Sequence, residues 1–115
     1  MISGGGDAPP AGAGRDATVG DLTRLVRSKN AGPFRLTIDC FCDAAADWER
    51  LRDGLATSAV AARLGVDADG VSRFELESLR VLKFSLPRPH VQGAAADRDL
   101  HGAQWALCVA GIAVR

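Results

Sequence analysis

Residues 34–42 constrain the fold of this chain more than any other segment. Phe34, Leu36, Ile38, Cys40 and Cys42 alternate with Arg35, Thr37, Asp39 and Phe41. A period of two sends one set to a buried sheet face and the other to a partly polar face, so a strand is predicted here. Asp43 follows as a candidate helix cap. Trp48, Leu51 and Leu55 then fall at helical spacing over Ala44 to Asp53. A further helical turn runs from Thr57 to Leu64, with Gly65 where a left-handed terminating residue belongs. A strand feeding two helical segments needs more strands to complete a layer.

The downstream sequence supplies them. Val71 to Leu76 and Leu79 to Leu86 read as extended runs; in the second, Leu82, Phe84 and Leu86 alternate with Val81, Lys83 and Ser85. Pro87-Arg88-Pro89 stops that run, and His90 to Gly102 reads as a long polar loop. Gln104 to Val114 is apolar at nearly every position and reads as a strand covered on both sides. Upstream, Thr18 to Arg27 fits a short helix capped by Asp21, with Leu22, Leu25 and Val26 at helical spacing. A strand leading into a turn competes with it. The reading is an α+β domain with a mainly antiparallel sheet of about four strands and two helical segments on one face.

Residues 1–17 are Gly, Ala and Pro rich and are expected to form a flexible leader, leaving residues 18–115 for a single domain. Fourteen basic residues balance 14 acidic ones, so the broad positive field of a general nucleic-acid binder is missing. No stretch has the length of a membrane-spanning helix. Three cysteines, Cys40, Cys42 and Cys108, are too few and odd in number for a secreted scaffold. The expectation is a soluble cytoplasmic protein without nucleic-acid or membrane partners.

Two polar segments are candidates for chemistry. Arg27, Ser28, Lys29 and Asn30 place a guanidinium, a hydroxyl, an ammonium and a carboxamide together before Ala31-Gly32-Pro33. Read as a loop, this is either an anion site or a solvated turn. The second segment holds Arg88, His90, Asp97, Asp99, His101 and Gln104. Asp97, Asp99 and His101 are its candidates for moving a proton, and a plain solvated loop is the competing reading. Neither segment, nor the cysteines, has a recognised metal-ligand spacing, so no metal or cofactor is expected. No serine sits in a Gly-x-Ser-x-Gly elbow.

From about Val19 to the C-terminus the chain resembles a small bacterial family whose members accompany, or are fused to, large acyclic-terpene-utilisation (AtuA-type) proteins. The matching motifs are Asp21-Leu22, Arg27-Ser28-Lys29-Asn30-Ala31-Gly32-Pro33, Leu36-Thr37-Ile38-Asp39, Pro87-Arg88-Pro89, and Asp97, Asp99 and Gly102-Ala103-Gln104. More distantly, it is similar to the C-terminal domain of AtuA-type proteins, where an Arg-Ser-Gly-Asp-Lys-Gly loop stands in the corresponding place. The resemblance implies a ferredoxin-like fold and a small subunit docking on a large AtuA-type partner. It favours an anion site for a carboxylate or acyl-CoA-linked substrate at Arg27, Ser28, Lys29, Asn30, Arg88 and Gln104. A self-contained lyase or hydratase using Asp97, Asp99 and His101, and a regulatory ligand-binding module, are the alternatives.

Overall fold

The computed structural model describes residues 17–88 and 102–115. The chain opens with a short strand β1 (Ala17–Thr18), whose first residue lies inside the expected leader, and a single helical turn α1 (Val19–Leu22). Thr18 caps that turn: its hydroxyl accepts from the Asp21 backbone N–H, and the Asp21 carboxylate accepts from the Thr18 N–H at 2.9 Å. Asp21 is therefore the third residue of a capping box, not the cap itself. The helix ends at Leu22. Leu25 and Val26, which share its apparent spacing, belong to strand β2 (Leu25–Asn30).

This overturns the loop reading of Arg27 to Asn30. All four residues are strand, paired in register with β3 (Arg35–Phe41): Arg27 faces Asp39, Ser28 faces Ile38, Lys29 faces Thr37 and Asn30 faces Leu36. Only the hairpin tip turns, with Gly32 at φ 86°, a left-handed value that suits glycine.

Helices α2 (Ala45–Gly54) and α3 (Thr57–Leu64) follow as expected, and Gly65 closes α3 at φ 72°. Ala44, not Asp43, occupies the α2 cap position, and no side chain caps it. The Asp43 carboxylate instead meets Arg24 Nε at 3.2 Å. Strands β4 (Ser72–Leu76) and β5 (Val81–Pro87) complete a four-stranded antiparallel sheet in the order β2-β3-β5-β4.

The closing segment is a helix, α4 (Gly102–Ala110), and a short strand, β6 (Ala113–Val114), which pairs with β1. Trp105, Ala106 and Val109 are buried and Leu107 is exposed, a helical stripe hidden in the sequence by apolar residues on every side. Helix α4 thus replaces the expected closing run of strand.

Leu36, Ile38 and Cys40 of β3 and Leu82, Phe84 and Leu86 of β5 pack in one core with Trp48, Leu51, Leu55, Val60, Leu64, Trp105 and Val109. The helices therefore share one face of the sheet. The run β3, α2–α3, β4, β5, α4 has the order of a ferredoxin-like unit, and β2 supplies the remaining strand, beside β3, from ahead of it. The α+β, ferredoxin-like expectation agrees with this sheet.

Candidate functional site

Side chains alternate across a strand, so the sheet register fixes what its second face presents. Three cross-strand rows can be read from the pairing. The first is Leu25, Phe41, Val81 and Leu76; the next is Arg27, Asp39, Lys83 and Phe74; the third is Lys29, Thr37, Ser85 and Ser72. Arg35 and Pro87 pair beyond the third row. The α helices pack on the opposite face, and this one carries partly exposed apolar side chains: Leu25 is 44% and Phe74 45% exposed.

Two side chains of this face are buried, Val81 at 6% exposure and the charged Asp39 at 5%. Asp39 Oδ2 accepts a hydrogen bond from Arg27 Nη2 at 3.1 Å. Its Oδ1 is buried without a hydrogen bond, and Lys83 Nζ stands 3.9 Å from it. The guanidiniums of Arg24 and Arg27 lie 5.3 and 5.1 Å from the Phe41 ring centre. Stacked cations of this kind keep their charge while covering apolar surface.

The register divides the expected anion site. Arg27 and Lys29 stand on the face away from the helices, whereas Ser28 and Asn30 stand on the helix-bearing face. Arg88 joins the second pair: its Nη1 donates to Asn30 Oδ1 at 3.0 Å, and its backbone N–H donates to the Phe34 carbonyl at 2.8 Å. Gln104 is exposed in the first turn of α4, the helix that packs along β2. Asp97, Asp99 and His101 lie outside the described residues.

The same register places Thr37 beside Lys29, Ser85 beside Thr37, and Arg35 and Lys83 on the same face of their strands. The alternation had already assigned Arg35, Thr37, Lys83 and Ser85 to the polar side of their strands. Their proximity to one another depends on pairing between distant segments, which periodicity does not carry.

The thiols are placed for packing. Cys40 and Cys42 are both buried, and burial pushes their pKa values up, to about 12 and about 11. Nearby carboxylates add to the rise: Asp39 acts on Cys40, and Asp47 and Asp43 act on Cys42. A thiol held in its neutral form is a poor nucleophile and a poor metal ligand. No group of three or more His, Cys, Asp or Glu suited to a metal ion occurs among the described residues.

A concavity of about 450 Å³ opens between α1, the start of β2 and α4, lined by Gly20, Thr23, Arg24, Leu25, Ala106 and Leu107 among others. Its walls are mainly apolar, and Arg24 is already turned toward Asp43. No helix among the described residues is long and apolar enough to cross a membrane.

Comparison with family models places residues 19–112 in a family described as a domain of unknown function, DUF4387. Comparison with curated proteins and with solved structures found no match. The match covers nearly all of the described sheet and helices, and the chain belongs to this family.

Proposed function

We propose that this member of the DUF4387 family is a small subunit that docks on a large AtuA-type protein and helps form a site for a carboxylate or acyl-CoA-linked substrate. The observation that carries the reading is the one-sided sheet. A two-layer domain buries one sheet face against its helices, and a second face is stable in water when its side chains are polar. Here that face has an apolar row, Leu25, Phe41, Val81 and Leu76, across all four strands; Val81 is buried and Phe41 half-buried within it, while Leu25 and Leu76 at its two ends, and Phe74 beside it, are exposed. An apolar stripe bordered by cations is the anatomy of a docking surface with a polar rim.

The charge on the face selects the kind of partner. Arg27, Lys29, Arg35 and Lys83 stand on it with one carboxylate, Asp39. A second copy packed face to face would bring like charges together, whereas a different subunit with an acidic surface would complement them. The docked partner would also exclude water from the cations, strengthening their hold on a substrate anion.

The resemblance to families accompanying AtuA-type proteins names the large subunit. The test is co-expression of the tagged chain with a large AtuA-type protein, followed by size-exclusion chromatography. A stable heteromer is expected. Recovery of the chain as a lone monomer, or turnover of hydroxy-acid or enoyl-CoA substrates by the chain alone, would contradict the reading.

A further inference from the structure

The sheet face that no helix among the described residues covers has a polar half, and that half has a centre. Thr37 and Ser85 are cross-strand partners there, both half-buried. Lys29 is Thr37's partner on the other side. Arg35 lies two residues before Thr37 on β3, and Lys83 two residues before Ser85 on β5. In an antiparallel sheet direct partners have Cβ atoms about 5 Å apart and diagonal neighbours about 7–8 Å apart. Side chains as long as Lys and Arg reach across those distances to a common point.

One contact shows them doing so: Arg35 Nη2 donates to Ser85 Oγ at 3.2 Å, turning the guanidinium inward over the pair. Lys29 has no partner among the described residues. Asp39, the one carboxylate in these rows, is hydrogen-bonded to Arg27 through Oδ2 and lies 3.9 Å from Lys83 Nζ through Oδ1, so one carboxylate is shared between two cations. The chain as a whole has as many acids as bases, so this excess of positive charge is local. Three cations around two hydroxyls repel one another in the free chain, and a bound oxyanion would relieve that repulsion while taking their donors.

We infer that Lys29, Arg35 and Lys83, with the hydroxyls of Thr37 and Ser85, form a seat for one oxyanion group, a phosphate or a carboxylate. The inference rests on the reading of this face as the ligand-bearing side of the subunit and specifies the residues that hold the charged end of the ligand. Arg27 contributes indirectly, by holding Asp39 through Oδ2 at 3.1 Å and so offsetting part of the carboxylate's pull on Lys83, whose Nζ stands 3.9 Å from Oδ1.

The test uses the isolated chain and two-dimensional amide NMR. Inorganic phosphate and malonate are titrated separately, with sodium chloride at matched ionic strength as the reference. Saturable shifts confined to the amides around Lys29, Arg35, Thr37, Lys83 and Ser85 are expected, and the tighter of the two anions identifies the ligand class. Lys29→Met and Thr37→Val, each first shown to keep the wild-type dispersion of signals, should weaken binding, by about tenfold for the lysine. Shifts that fail to saturate, that chloride reproduces, or that survive unchanged in both variants would overturn the seat. The result is independent of docking. Saturable anion binding by a chain that recruits no large subunit would leave the seat standing and the subunit reading in error. A heteromer whose small subunit gives no anion response would do the reverse.

Discussion

Arg27 reaches across the β2–β3 pair to Asp39 at 3.1 Å, joining a half-exposed guanidinium to a carboxylate that is almost wholly out of solvent. The two partners are therefore unequal. Removing Arg27 leaves a buried carboxylate with only Lys83, 3.9 Å away, whereas removing the carboxylate leaves a cation that water can reach. Arg27→Ala should destabilise by about 2–3 kcal/mol and Asp39→Asn by about 1 kcal/mol or less, measured by urea unfolding. Equal losses, or a larger one for Asp39→Asn, would show that the pair is not desolvated as described.

The buried thiols set an alkaline limit on stability. In the folded chain the pKa of Cys40 is raised from 9.0 to about 12 and that of Cys42 from 9.0 to about 11. Each thiol ionises more readily when unfolded, so its contribution to stability is fully present below pH 9 and is lost as pH rises through the folded values. Unfolding experiments should therefore show stability falling above about pH 9, and Cys40→Ala, Cys42→Ala should flatten that fall. At neutral pH an alkylating reagent should modify the half-buried Cys108 well before either of them.

Gly54 ends α2 where the C-terminal strand crosses it. A Cβ at this position would lie 2.6 Å from the Arg115 carbonyl oxygen and 2.7 Å from Val114 Cγ1. Gly54→Ala must push β6 away from α2, and a loss of about 1–3 kcal/mol is expected from overpacking. Gly65→Ala has open space around it but a left-handed backbone, so its loss of about 1 kcal/mol arises from conformation alone. Thermal melts of the two variants, with hydrogen exchange at the β1–β6 pair, separate the causes. Only Gly54→Ala should loosen that pair.

The character of α4 is testable by the spacing of its losses. Trp105→Ala should cost about 3–5 kcal/mol, because the indole is buried, whereas Leu107→Ala on the exposed side should change stability by no more than about 0.5 kcal/mol. Comparable losses at both positions in denaturant titrations would fit a segment covered on both sides and contradict the helix.

These elements also mark what the sequence made legible. Local periodicity sufficed where one face is buried and the other polar: β3 was readable from Leu36, Ile38 and Cys40, β5 from Leu82, Phe84 and Leu86, and the end of α3 from Gly65. It misled where that contrast is missing. In α4, Leu107, Cys108 and Ala110 are as apolar as the buried Trp105, Ala106 and Val109, so a helical stripe reads as a continuous run. Leu22, Leu25 and Val26 share a helical spacing by coincidence, since the turn after α1 resets the chain's direction before β2. The arrangement of the candidate site was hidden for a related reason. Arg27, Ser28, Lys29 and Asn30 are adjacent in sequence, yet a strand sends them alternately to opposite faces. The residues that share a face with Arg27 and Lys29, namely Arg35, Thr37, Lys83 and Ser85, are fixed by register across the sheet.

The most direct test of the subunit reading is hydrogen–deuterium exchange on the chain alone and with a co-expressed large AtuA-type protein, repeated for Leu25→Asp and Phe74→Asp. Both side chains are partly exposed, so the substitutions should leave the fold intact. The expected result is a heteromer with added protection in β2 to β5 and little change in α2 and α3, and loss of the heteromer in both variants. A heteromer that survives both substitutions, or one whose protection falls on the helices, would contradict docking through the uncovered sheet face.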